Sequence, residues 1–131
     1  GIAPIERRFQ NFSWVDQICL VGDAKPFLVA LFVPAESLIE SGEYKSDAFA
    51  ARVCRDVEKV NGSLASFETV KRFALLPQAF SEDNDCMTPT FKLKRSRILE
   101  LQESVVGALY ADEAQSPSDE IVLLPQPFIS G

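Results

Sequence analysis

The longest uninterrupted apolar run is Phe27–Val33. A strand that is apolar at every position leaves no face for water, so this one is expected in a sheet covered on both sides. Trp14–Val21 is apolar-rich with partial alternation and reads as the strand before it. Gly22-Asp23-Ala24-Lys25-Pro26 reads as the turn between them, with glycine free in its dihedrals and proline fixing the exit. The two strands are therefore expected to form an antiparallel hairpin that Pro34 stops.

Helical spacing marks the flanks. Pro4 is placed to open a helix through about Asn11, in which Ile5 and Phe9 share a face. Ser41–Ser46 reads as a loop. Over Asp47–Leu64, Phe49, Val53, Val57 and Val60 recur every three or four residues and make one apolar stripe. Ser46 or Asp47 can cap that helix by offering a side-chain oxygen to its first amides. Arg52, Arg55, Asp56, Glu58 and Lys59 fall mostly on the solvent side. Val70–Leu76 returns to a strand and ends at Pro77.

The acidic stretch Ser81–Asp85 reads as a hairpin turn, since the twelve-residue spacing of a calcium loop with its terminal glutamate is missing. From Phe91 the pattern alternates, Phe91 and Leu93 on one side, Lys92 and Lys94 on the other, as in a half-buried strand. Ile98–Tyr110 reads as the last helix. Ala111–Glu120, acidic with Ser and Pro, reads as a flexible linker. Ile121–Leu124 either adds a strand or patches the surface before Pro125 and Pro127 cut it short. The expected fold is α+β. One domain spans 1–110, with a central three-stranded, mainly antiparallel sheet, flanking helices and a hairpin carrying the lysines. The tail, 111–131, is expected to be flexible.

A length of 131 residues suits one core. The net charge of −6 argues against a general nucleic-acid binder. No apolar run approaches the roughly 20 residues that span a bilayer, and no secretory leader pattern opens the sequence. Three cysteines without metal-ligand spacing suit free thiols in a reducing cytosol. The absence of histidine removes Ser-His-Asp and Cys-His devices and the commonest nitrogen ligand of zinc. No metal site is expected.

Against this acidic background Lys92, Lys94, Arg95 and Arg97 place four cations within six residues. The start of a helix disfavours positive charge by about 0.3–1 kcal/mol per group. Basic runs at such a place are usually solvated surface; the other reading of a run that local stability does not favour is a site for an anion. Read from the residues alone, it fits a non-catalytic α+β module whose basic hairpin holds an acidic partner.

Thr88-Pro89-Thr90-Phe91-Lys92-Leu93-Lys94-Arg95, with the Arg-Ile-Leu-Glu helix that follows and ends in Ala108-Leu109-Tyr110, resembles the closing motif of AMP-forming long-chain fatty-acid–CoA ligases, members of the adenylate-forming superfamily. Val21-Gly22-Asp23 and Pro26–Pro34 resemble the first strand pair of their carboxy-terminal domain, and Lys71–Pro77 its next strand. The likeness runs in order from about Ile2 to Tyr110 and does not cover the tail. It implies a domain that begins just past the interdomain hinge of a larger enzyme. It also implies an amino-terminal partner domain that binds fatty acid, ATP with Mg2+, and CoA.

In that family a lysine of the motif enters the active site during acyl-adenylate formation, and the domain then reorients for thioester formation. Aligned on the motif, the lysine is Lys92. Lys94 is the runner-up, with Thr88, Thr90 and Arg95 in support. Arg95 and Arg97 are expected to meet CoA phosphates, the partner domain or water. The family often has Asn-Gly where this chain has Asn84-Asp85, so the turn is expected to be less regular. The fragment alone is expected to be inactive. A cytoplasmic parent is implied, its membrane association left open.

Overall fold

A computed structural model describes residues 1–112 and 115–126. β2 (Leu28–Pro34) lies inside a sheet ordered β1-β2-β3-β4, between β1 (Val15–Val21) and β3 (Val70–Leu75), with β4 (Val122–Leu124) beyond β3. Val29, Ala30, Leu31, Phe32 and Val33 are each no more than 1% exposed, as an all-apolar strand requires. Successive side chains point to opposite faces, so the strands feed two cores. On one face, Ile18, Leu20, Phe32 and Phe73 pack on α1 (Ile2–Phe9) and α3 (Asp47–Asn61). On the other, Cys19, Leu31, Val33 and Ala74 pack on α4 (Arg95–Leu101), α5 (Glu103–Tyr110) and the segment carrying Phe80 and Cys86.

The Asp47 helix forms as its stripe predicts. Ser46 is its cap, the Ser46 Oγ accepting from the Phe49 amide at 3.1 Å. Phe49, Val53, Val57 and Val60 are all buried. The hairpin of β1 and β2 is antiparallel as expected.

The sheet has four strands rather than three, and it is mixed. β2 and β3 run parallel. Parallel neighbours need a long crossover. The 35 residues from Ala35 to Thr69 supply one, through α2 (Glu36–Ser41) and α3. The loop read at Ser41–Ser46 is the end of α2, a left-handed Gly42 at φ +80° and one 3-10 turn, Glu43–Lys45. The last helix is two helices, α4 starting ahead of Ile98 and breaking from α5 at Gln102.

Of the two alternatives for Ile121–Leu124, the strand is the one formed, antiparallel to β3. Glu120 beside it pairs with Lys45 at 3.1 Å, and its carbonyl accepts from the Tyr44 hydroxyl at 2.7 Å. Residues 113–114 and 127–131, part of the tail expected to be flexible, lie outside the described residues.

Candidate functional site

The basic motif forms a loop whose foot is fastened at several points. Ahead of it, the Gln17 carboxamide donates to the Phe80 carbonyl at 2.8 Å and accepts from the Phe80 amide at 2.7 Å, pinning this segment to β1. The acidic turn is closed by the Cys86 amide donating to the Ser81 carbonyl at 2.8 Å. The Asn84 side-chain oxygen accepts from the Ser81 and Cys86 amides at 3.0 and 3.2 Å. Asp85 takes the left-handed position at φ +63°, where aspartate is tolerated though glycine fits better.

A single antiparallel bridge, Met87 with Leu93, then brings the chain back on itself, both side chains packing on the second core. Above the bridge, the Thr88 amide donates to the Lys92 carbonyl at 2.8 Å, and the Phe91 amide to the Thr88 carbonyl at 2.9 Å. The Thr88 hydroxyl accepts from the Lys92 amide at 3.1 Å and lies 3.2 Å from the Thr90 hydroxyl. Thr88 therefore holds the loop around Pro89-Thr90-Phe91, with Lys92 at its exit.

The alternating strand expected from Phe91 is not there. A three-residue loop of this kind turns back through one left-handed residue, normally glycine. Here that residue is Phe91, at φ +64° and 77% exposed. A left-handed residue other than glycine costs about 1–2 kcal/mol. Phe91 and Leu93 thus do not share a buried face; Leu93 alone packs inward.

The four cations have different fates. Lys94 is hydrogen-bonded to the Asp85 carboxylate. Arg97 lies 3.8 Å from that same carboxylate and is paired with Glu100. Arg95 forms two bonds to the Glu6 carboxylate, one of them 2.9 Å. Glu6 is 6% exposed and also accepts from the Leu20 amide at 2.7 Å. This joins α1, β1 and the start of α4 at one buried carboxylate. Lys92 is exposed and, among the described residues, its ammonium has no hydrogen-bond or ion-pair partner.

Electrostatics follow the pairing. The hydrogen bond from Lys94 holds the Asp85 carboxyl below the usual range. The bond to Glu6 raises the Arg95 pKa further, so this cation keeps its charge. Burial pushes the Cys19 thiol up to about 11, against the lowering influence of Arg95, and burial also raises Cys86. Neither thiol is poised as a thiolate nucleophile. Among the described residues no three Asp, Glu, Cys or His side chains gather to hold a metal. A recess of about 560 Å³ lies on the Arg95 side, between the end of β1 and α4–α5, lined by Leu20, Lys25, Arg95, Leu99 and Tyr110 among others.

Glu6, Gln17 and Asp85 are the residues that pattern reading passed over as parts of this site. Glu6 meets Arg95 across 89 positions and Gln17 meets Phe80 across 63. No local spacing signals either contact. Asp85 was visible only as part of an acidic turn.

What this arrangement offers chemically is one compact, unpaired cation on a long flexible stem, leaving a backbone fixed by Thr88. It can meet several oxygens of a crowded anion without matching a planar fork.

Comparison with known proteins gives the context. Residues 3–114 match the model of the AMP-binding enzyme C-terminal domain. The chain is 30% identical over 126 residues to fatty acyl-CoA synthetase B of Dictyostelium discoideum, covering 85% of this chain and 19% of that protein. It is 34% identical over 127 residues to long-chain-fatty-acid–CoA ligase 1 of Cavia porcellus, covering 84% and 18%. A long-chain-fatty-acid–CoA ligase of Mycobacterium tuberculosis is 28% identical over 129 residues, covering 86% and 22%. The chain thus spans about a fifth of these relatives.

Among solved structures, the adenylation domain of a carboxylate reductase from Mycobacterium chelonae superimposes with a TM-score of 0.73 at 24% identity, over 85% of this chain and 18% of that one. The A-PCP didomain of a carboxylic acid reductase from Segniliparus rugosus, in complex with AMP, gives 0.70 at 22% identity, over 84% and 16%. At such identities the likeness is one of fold. With the family model matched across nearly the whole described domain, the chain belongs to the AMP-binding enzyme C-terminal domain family.

Proposed function

We propose that this is the mobile carboxy-terminal domain of an AMP-forming long-chain fatty-acid–CoA ligase, and that Lys92 is the cation it delivers during acyl-adenylate formation. In the first step a carboxylate oxygen of the fatty acid attacks the α-phosphorus of ATP. The bond to the bridging oxygen breaks and pyrophosphate leaves. In the second step the CoA thiol, losing its proton, attacks the acyl carbon and AMP leaves, giving the thioester. Fatty acid, ATP and CoA are bound by the amino-terminal domain of the same enzyme.

Attack at phosphorus gathers carboxylate and phosphate oxygens at one point, and Lys92 stabilises that charge more in the transition state than in the bound substrates. The domain then turns, withdrawing Lys92 before CoA enters. Mg2+, when bound with ATP, would lower the charge of its phosphates. Among the described residues no three Asp, Glu, Cys or His side chains gather for it, and the reading assigns its ligands to the phosphates and the partner domain.

The observation that carries the reading is the contrast within the motif: three cations are engaged by Glu6, Asp85 and Glu100, and Lys92 is exposed and, among the described residues, without a partner. A basic hairpin built to hold an acidic partner would keep several cations free, so the binding-module alternative is not favoured.

The test is Lys92→Ala in the full-length parent. Acyl-adenylate formation should fall by about 10²–10³, the usual cost of one well-placed charge donor. Thioester formation from preformed adenylate should stay within a few-fold. Equal damage to both steps would remove Lys92 from the assigned role. A fragment that by itself made thioester from ATP, CoA and fatty acid would contradict the proposal that the remaining machinery lies in the partner domain.

A further inference from the structure

Phe91 is held against local stability. Its backbone sits at φ +64°, where glycine would rest without strain, and its ring is 77% exposed. The ring borders only a shallow hollow with Phe80, Met87, Glu82 and Asp83, so its own domain does not bury it. The surrounding loop is well tied through Thr88, which makes the conformation a fixed feature of this loop. A strained, exposed aromatic on an ordered loop points to a function outside the domain.

From these observations, and resting on the assignment of Lys92 above, we infer that Phe91 is a docking anchor. It inserts into an apolar surface of the amino-terminal domain beside the reacting carboxylate when Lys92 is delivered. The chain accounts for about a fifth of its relatives' length, so most of the parent lies outside it and supplies the receiving surface. Consecutive Cα atoms are about 3.8 Å apart, so an ammonium that reaches the carboxylate brings the neighbouring ring to its surroundings. A fatty carboxylate is flanked by phosphate on one side and by methylenes on the other. A phenyl ring meets the apolar side and excludes water from the charges beside it.

The anchor works only while Lys92 is docked, so its loss affects one half-reaction. In the full-length parent, Phe91→Gly should lower kcat/KM for acyl-adenylate formation by about 10- to 100-fold, the scale of one misplaced or unanchored positioning contact. Thioester formation from preformed adenylate should stay within about twofold, and the thermal midpoint should be unchanged or higher, because glycine suits φ +64°. Phe91→Leu keeps an apolar side chain and should retain adenylation within about threefold.

Adenylation by Phe91→Gly within twofold of the unmodified enzyme, with Lys92→Ala still impaired, would overturn the anchor and leave the ligase assignment standing. Equal loss in both half-reactions would overturn it too, as damage to the domain at large. If Lys92→Ala itself spares adenylation, anchor and assignment fall together.

Discussion

The foot and the tip of one loop follow opposite rules. At the foot, Lys94 and Arg97 face Asp85, Arg95 is locked to a buried Glu6, and Gln17 clamps the backbone of Phe80. At the tip, six residues along the chain from Thr88 to Leu93 carry an exposed phenyl and an ammonium that has no partner among the described residues. Charges of one sign, one to five positions apart, are either internal fasteners or are left over. The difference teaches that a basic run cannot be read as one site. Its members are sorted by partners that the fold brings from far away.

Glu6 gives the sharpest way to break the foot. Glu6→Ala leaves Arg95 without its anion and the buried Leu20 amide without its acceptor. Breaking a buried pair from one side costs about 3–5 kcal/mol, and the partly exposed Arg95 puts this case at the lower end, about 3 kcal/mol. Chemical denaturation should show that loss, with the thermal midpoint down by about 10 °C. Lys92→Ala, in the same experiment, should shift stability by less than about 0.5 kcal/mol, as expected of an exposed side chain without partners. A Glu6→Ala protein as stable as the unmodified one would show that the foot is not fastened there.

Asp85→Asn should have a smaller effect, because the pair is solvent-exposed and screened by water and salt. Asparagine also tolerates the left-handed position, so the turn survives. The same carboxyl predicts a small pH dependence. Its folded pKa is depressed by Lys94, so its contribution is present above the unfolded value near 4 and is lost as pH falls through the folded one. Stability measured across that window should carry this contribution in the unmodified chain and lack it in Asp85→Asn. Identical acid limbs would show that the Lys94 contact does not persist in solution.

How much of this the sequence discloses depends on range. The all-apolar Phe27–Val33 run, the helical stripe from Phe49 to Val60 and the Ser46 cap are local patterns, and each is formed as read. β4 was legible only as one of two alternatives, because a three-residue strand bounded by Pro125 is defined by the β3 edge it joins, not by its own length. The parallel pairing of β2 and β3 likewise depends on α2 and α3 crossing between them. At the site, Lys92 was singled out by the resemblance alone; the structure adds that it is exposed. The strand expected through Phe91 failed because alternation cannot register one residue at positive φ. Arg95 was expected to face phosphates, the partner domain or water, but its first partner is Glu6, visible only once α1 lies against α4.

The most direct test of the central claim is to measure acyl-adenylate formation by the full-length parent carrying Lys92→Ala or Lys94→Ala, side by side. The account predicts a loss of about 10²–10³ for Lys92→Ala and less than about tenfold for Lys94→Ala. A loss for Lys94→Ala equal to or greater than that for Lys92→Ala would contradict it.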